Sequence, residues 1–163
     1  SVIIVAKLLK IKNEKIVEAL GSFPGVEHRL EFVRKLKGVE FINDSKATNV
    51  DSVRYALQSF DRPIYLILGG QDKGNDYNEI KESVKNNVAK IYAIGSSSKK
   101  IYNFFNGRVD VEIIDSLEEA VVSANAEAQE ESVVLLSPAC ASFDMFNSYE
   151  QRGKIFKEAV NKL

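Results

Sequence analysis

The chain has 163 residues, 22 Lys+Arg against 23 Asp+Glu, and a single cysteine. A chain of this size buries roughly two thirds of the surface its unfolded form exposes, so a real core is available without staples. Charges that nearly cancel exclude overall attraction to nucleic acid or to an anionic membrane. Cys140 alone cannot form an internal disulfide, and no apolar run approaches the 18 or so residues of a membrane span, so a cytoplasmic setting is expected.

Val2 to Ala6 is apolar, but Lys7 and Lys10 fall where a signal peptide would continue. The chain opens within an apolar pattern and without an initiator Met, which reads as a piece of something longer. No repeat, low-complexity tract or Pro/Gly/Ser-rich linker divides it. Residues 2–10 and 14–20 read as two short helices, with Asn13 to cap the second and Gly21 to end it. Pro24-Gly25 signals a turn, and the loop delivers His28 and Arg29 to an extended segment, Leu30 to Val33. Lys37-Gly38 then reads as a hairpin turn into Val39–Ile42.

That run stops abruptly at Asn43-Asp44-Ser45-Lys46-Ala47-Thr48-Asn49, a dense polar turn before the helical pattern Val50, Val53, Ala56, Leu57. A plain capped helix start competes with a functional loop here, because Asn, Asp, Ser and Thr oxygens accept orphan backbone N–H groups. From this point each strand-length apolar run leads through a polar loop to a segment of helical period. Ile64 to Leu68 ends in Gly69-Gly70-Gln71-Asp72-Lys73-Gly74, with a helix expected from about Tyr77 to Val84. Ile91 to Ile94 ends in Gly95-Ser96-Ser97-Ser98, before a short helix near Ile101 to Phe105. Val109 to Ile114 leads to Ser116-Leu117-Glu118-Glu119, which matches a capping box ahead of a helix through about Ala128. Val133 to Leu136 ends in Ser137 to Ser142, and a final helix is expected from there to the C-terminus, burying Met145, Phe146, Tyr149, Ile155, Phe156, Ala159 and Val160. Such alternation predicts an α/β fold, a Rossmann-like three-layer domain with a mainly parallel sheet flanked by helices. Ligands in these sheets bind outside the carboxyl ends of the strands, which selects the loops 43–49, 69–74, 95–98 and 137–142.

The chemistry of these loops is that of an anion-binding crevice. The glycines of 69–74 let backbone N–H groups approach an anion and Lys73 adds a point charge, although a tight turn explains the same glycines. Neither G-x-x-x-x-G-K-[ST] nor G-x-G-x-x-G occurs, so no self-contained triphosphate or dinucleotide site of those types is present. Ser142 offers a hydroxyl beside small residues that close strand–helix packing also explains. Arg29 can grip phosphate or carboxylate bidentately, with a solvated ion pair as the default; Asp44 can touch a ligand hydroxyl. Cys140 is a poor nucleophile candidate, since its one possible imidazole partner, His28, is distant in sequence. No zinc-spaced Cys/His cluster or calcium loop is present, and no metal ligand is assigned.

Taken together, Phe23-Pro24-Gly25-Val26-Glu27-His28-Arg29, Asn43 to Asn49, Gly69 to Gly74, Leu136 to Asp144 and Glu150-Gln151-Arg152-Gly153 resemble, in order, the C-terminal domain of the Mur ligase family. The stretch 43–49 resembles the branch that adds D-glutamate to UDP-MurNAc-L-Ala, and differs from the Asp-Tyr-Ala-His type motif of the sister enzymes. The resemblance implies residues 1–22 as a helical remnant of the preceding central ATP-binding domain and residues 23–163 as the Rossmann-like amino-acid-binding domain. It implies ATP and Mg2+ as cofactors, bound mainly outside this fragment, and D-glutamate, UDP-MurNAc-L-Ala and ATP as partners of a monomeric cytoplasmic enzyme of peptidoglycan synthesis. Lys46, Thr48, Lys73 and Ser142 match residues that hold the D-glutamate carboxylates, and Phe146 and Tyr149 lie in the matching segment that follows. Arg29 and Asp44 match residues that reach ATP, with His28 adjacent. No catalytic residue is expected in the fragment, which is expected to be inactive alone. The alternative is a free-standing Rossmann-like nucleotide- or anion-binding module without catalysis.

Overall fold

The computed structural model describes residues 2–23 and 25–163. Two helices, α1 (Val2–Leu8) and α2 (Asn13–Ser22), come first, and neither contains a buried residue. The cap position of α2 is Lys12, whose side chain makes no capping bond, and Gly21 lies inside the helix. The capping and stop signals expected at Asn13 and Gly21 are therefore displaced at both ends, as is common where no core fixes a helix boundary. Of the Pro24-Gly25 turn signal, Pro24 lies outside the described residues; Gly25 has φ +83°.

The hairpin β1 (Glu31–Leu36) and β2 (Val39–Asn43) closes through Lys37 and Gly38, with φ values of +48° and +81°. Positive φ at both central residues is the turn geometry that matches strand twist. There follow α3 (Val50–Leu57), β3 (Ile64–Gly69), a 3-10 turn at Tyr77–Ile80 that runs into α4 (Lys81–Asn87), and β4 (Val88–Ile94). The chain ends with α5 (Ser98–Phe105), β5 (Asp110–Ile113), α6 (Leu117–Glu127), β6 (Val133–Leu136) and α7 (Tyr149–Asn161). The side chain of Ser116 accepts the Glu119 N–H at 3.2 Å, as its sequence position predicts.

The expected start of the last helix is corrected. Residues 137–148 form a long loop. In it the Met145 and Phe146 N–H groups both return to the Ser142 carbonyl, at 3.1 and 2.8 Å, closing one turn that does not propagate. Asp144 is drawn away by the Ser96 N–H at 2.7 Å, and α7 starts only where Ser148 Oγ accepts the Gln151 N–H at 3.2 Å.

The six strands are ordered β1-β2-β6-β3-β4-β5, parallel except for the hairpin. Their side chains alternate between two cores. Val133 and Leu135 of β6 join Leu66 and Leu68 of β3 beneath α3, α4 and α5, while Val134 and Leu136 join Ile67 and the buried residues of α6 and α7. The connections after β2 and β3 thus pack on one face, and the connection after β6, which lies between them, packs on the other. The chain therefore parts at β6, and a crevice opens at its carboxyl end, where ligands bind in open α/β sheets.

Candidate functional site

The crevice is built by loops from the three adjacent strands. Asn43 sits at the end of β2, and the chain turns sharply: the Asp44 N–H donates to the Leu136 carbonyl at 2.8 Å and the Ala47 N–H to the Asp44 carbonyl at 2.9 Å. Asn49 caps α3, its side chain accepting the Ser52 N–H at 2.9 Å. The plain capping reading is thus correct for Asn49, whereas Asp44, Lys46 and Thr48 are free of that duty. After β3, Asp72 folds its own loop, accepting the N–H groups of Gly74 and Asn75 at 3.1 and 2.8 Å and pairing with Lys100 at 2.6 Å. Lys73 is left pointing outward and exposed.

Thr48, Lys73, Ser142 and Tyr149 line one pocket of about 320 Å³, together with Ala141, Phe143, Ser148 and Glu150. Lys46 lies beside it, its Nζ 5.5 Å from the centre of the Tyr149 ring. On its other side Lys46 lines a second pocket, of about 280 Å³, with Arg29 and Asp44. His28 lies in a third with Lys46 and Tyr149. Of the six residues expected to hold an amino acid, four share one cavity and Lys46 stands between two. Phe146 does not join them: its side chain packs, partly buried, against the core under α6 and α7. Among the described residues Arg29, Lys46 and Lys73 are in no ion pair, unlike Arg62, Lys90, Lys100 and Lys157. The crevice is therefore flanked by three cations that are in no ion pair, with the Asp44 carboxylate near Arg29 and the Glu150 carboxylate in the pocket of Lys73.

His28 is 5% exposed, with its ring edge-on to Tyr149 at 6.0 Å. The Asn43 amide is oriented by the Ser45 N–H, which donates to its Oδ1 at 3.2 Å, so Asn43 Nδ2 donates to His28 Nδ1 at 3.0 Å. The network assigns the imidazole proton to Nε2. Gly153 makes room for the ring, since a Cβ there would overlap Nδ1. His28 thus has a packed structural place. The ligand atoms of Glu27, His28 and Glu31 lie within 4.8 Å of one another, but Lys157 Nζ already sits 2.6 Å from Glu27 and 3.0 Å from Glu31. Cys140 is buried against Asn75, Ser97 and Tyr77, with no imidazole among its partners, and burial pushes its thiol pKa up. This is a structural thiol rather than a nucleophile.

Asp44 is 5% exposed and accepts the Ser137 hydroxyl at 2.8 Å and the Leu30 N–H at 3.2 Å. Burial outweighs both bonds and the nearby Arg29, raising its pKa from the ordinary 3.8 to about 6. A carboxyl whose folded pKa is raised binds its proton more tightly in the folded state, so stability is lost as pH rises from about 4 through 6. Asp44→Asn is therefore expected to stabilise the fold by about 1–3 kcal/mol at pH 8, with the gain vanishing near pH 4. Urea unfolding at both values checks this; an equal effect at both pH values would contradict it.

Two residues that lie in the segments carrying the resemblance were given no role by the sequence reading. Arg152 stands between Tyr149 and Phe156 at the spacing of the buried stripe of α7, and a charge at that spacing is a readable anomaly. It is fully buried, and burial pulls its pKa down to about 10, so it remains charged at neutral pH. Asn43, the final residue of β2, opens the stretch 43–49, but nothing in its residue type or spacing pointed to His28 as its partner.

The family profile described as "Mur ligase, glutamate ligase domain" matches residues 28–140. The chain is 47% identical over 159 residues to a UDP-N-acetylmuramoylalanine--D-glutamate ligase of Salinibacter ruber, which covers 97% of the chain and 35% of the relative. It is 51% identical over 158 residues to the ligase of the same name from Chloroherpeton thalassium, covering 97% and 34%. It thus spans about a third of the length of these curated relatives. Among solved structures, a bifunctional folylpolyglutamate synthase/dihydrofolate synthase from Yersinia pestis matches with a TM-score of 0.64 at 17% identity, covering 93% of this chain and 35% of that one, a likeness of fold. The chain belongs to the Mur ligase family, by its glutamate ligase domain.

Proposed function

We propose that this chain is the C-terminal, D-glutamate-binding domain of a cytoplasmic ATP-dependent ligase that joins D-glutamate to UDP-MurNAc-L-Ala in peptidoglycan precursor synthesis. The observation that carries the reading is the convergence of Thr48, Lys73, Ser142 and Tyr149, from three separate strand-end loops, on one pocket flanked by unpaired cations. A ligand with two carboxylates needs at least two cationic or N–H-rich subsites. Lys73 and Lys46 supply the charges, Thr48 and Ser142 the hydroxyls, and Tyr149 an apolar wall. The relatives' names specify the same amino acid.

In this reading ATP phosphorylates the carboxylate of UDP-MurNAc-L-Ala, releasing ADP. The D-glutamate amine then attacks the acyl carbon, phosphate leaves, and the amine proton is lost as the amide forms. The domain contributes orientation, holding the carboxylates so that the amine meets the acyl carbon. The neighbouring pocket suits the nucleotide: Arg29 matches a phosphate, whereas the buried Asp44 carboxylate would repel one and matches a sugar hydroxyl. His28 acts by packing behind Tyr149. The residues here do not fit Mg2+: the one His/carboxylate cluster found among the described residues is already occupied by Lys157. The ion's ligands are assigned to the remainder of the ligase.

We assign residues 1–22 to the preceding central domain. Val2, Leu8, Leu9 and Val17 of the helical pair are each at least 69% exposed, and an apolar pocket of about 400 Å³ lies between the helices. An exposed apolar face of this kind marks a contact surface.

The test is reconstitution. The 163-residue chain alone should release no phosphate from ATP, and one polypeptide that restores the missing N-terminal region should do so only with D-glutamate and UDP-MurNAc-L-Ala both present. Failure of the extended protein to ligate, with micromolar NAD binding by the present chain, would favour a free-standing nucleotide module instead.

A further inference from the structure

The loops around the pocket are held by a side chain that does not line it. Arg152, in the first turns of α7, is 0% exposed, and among the described residues no carboxylate pairs with it. Its donors go to the loops instead: NH2 to the Ser45 carbonyl at 2.8 Å, NH1 to the Cys140 carbonyl at 3.1 Å and the Ala141 carbonyl at 3.5 Å, and Nε to Ser45 Oγ at 2.9 Å. That hydroxyl in turn donates to the Tyr149 carbonyl at 2.8 Å. One guanidinium thereby clamps the loops after β2 and β6 to the start of the helix that carries Tyr149.

Two consequences follow from elementary geometry and electrostatics. In a trans peptide C=O and N–H point in opposite directions. The Ala141 carbonyl is drawn toward Arg152 and toward the Gln71 N–H, which donates to it at 2.9 Å. The Ser142 N–H is therefore turned away from the guanidinium. Neither that N–H nor Ser142 Oγ has a hydrogen-bond partner among the described residues, although Ser142 is only 2% exposed and lines the pocket. Donors left open in this way on the wall of a pocket are suited to an arriving acceptor. The second consequence is a guanidinium charge directly beneath the loops, held in no ion pair and offset only at longer range by the Asp144 carboxylate, in a region where salt screens poorly. An apolar side chain would fill this stripe position without the desolvation cost of a lone guanidinium.

We propose that Arg152 is a positioning residue for the pocket: it turns the Ser142 donors toward the ligand and supplies a positive charge, held in no ion pair, that attracts a ligand carboxylate. This rests on the reading of the pocket as the D-glutamate site. The experiment is a titration of the 163-residue chain with D-glutamate, followed by amide NMR, for wild type and for Arg152→Gln, Arg152→Met and Arg152→Lys. Gln keeps donors without charge, Met keeps neither, and Lys keeps charge without the fork. In the wild type, shifts should centre on Thr48, Lys73, Ser142 and Tyr149. The neutral variants should bind about tenfold more weakly or worse, and Lys should recover most of that loss. A folded neutral variant that binds like wild type overturns the proposal, as does Lys binding as weakly as Gln, which would leave only the clamp. If neither neutral variant folds, Lys decides: affinity near wild type supports the charge, and a tenfold loss in a folded Lys variant overturns it. Absence of the wild-type shifts overturns the D-glutamate reading itself, a result distinct from any variant's behaviour.

Discussion

Replacing Lys73 by Ala in the extended ligase is expected to raise the KM for D-glutamate by about ten- to a hundredfold, with the KM values for ATP and UDP-MurNAc-L-Ala unchanged. A hydrogen bond to a charged group contributes about 1.5–3 kcal/mol, and Lys73 has nothing else to do: it is exposed, in no ion pair, and its loop is shaped by Asp72. Its loss should leave the melting temperature within about a degree, as for surface substitutions that break no contact. Lys46→Ala should weaken D-glutamate comparably but differ in one respect. Lys46 also lines the pocket of Arg29 and Asp44, so its removal should raise the KM for ATP as well. Because both lysines act on one ligand, the double variant should fall short of the product of the single effects. Steady-state kinetics with each substrate varied in turn reads all of this. Full D-glutamate affinity in the double variant would place the amino acid elsewhere.

The alternation of strands, loops and helices was legible because each strand carries a continuous or alternating apolar signature and each strand end is marked by Gly, Ser or Asn. The rule that ligands sit at carboxyl strand ends then selected four loops without any knowledge of strand order, and three of them, 43–49, 69–74 and 137–142, supply residues to one pocket, whereas 95–98 does not line it. What it could not supply was which loops meet. That depends on β6 inserting between β2 and β3, a long-range pairing with no local signal, and it is this insertion that brings Ser142 to Thr48 and Lys73. The misplaced start of α7 has a local cause. Met145 and Phe146 fall at helical spacing from Tyr149, so their burial against the sheet imitates the stripe of a longer helix. Ser148 is the true cap, and Asp144, which resembled a residue of the first helical turn, is engaged by Ser96. The burial of Arg152 was missed for the opposite reason: the residue was quoted in the motif 150–153, but as a charged side chain it was left out of an apolar stripe to which it belongs.

The same strand ends set the expected behaviour of Gly69. It closes β3 with φ +127°, a conformation L side chains rarely adopt, and a Cβ at this position would overlap the carbonyl oxygen of Ile94 on β4. Backbone strain of about 1–3 kcal/mol adds to overpacking of about 1–3 kcal/mol, because the obstacle is a strand carbonyl, and no flexible side chain is there to move aside. Gly69→Ala is thus expected to destabilise the fold by about 3–5 kcal/mol, which lowers the melting temperature by about 10 °C in a chain of this length. The effect should reach the pocket, since the Gly69 N–H donates to the Pro138 carbonyl at 2.9 Å and so fixes the start of the loop that carries Ser142. Gly21 provides the contrast. It lies in α2 with nothing within 4 Å of its added Cβ and no unusual φ. Gly21→Ala should therefore leave stability unchanged or improve it by up to about 1 kcal/mol, through helix propensity alone. Thermal denaturation of the two variants beside wild type separates a glycine required by the closeness of two strands from one that is merely tolerated. Equal melting of all three would mean that the close approach of β3 to β4 at the pocket floor is not present in solution.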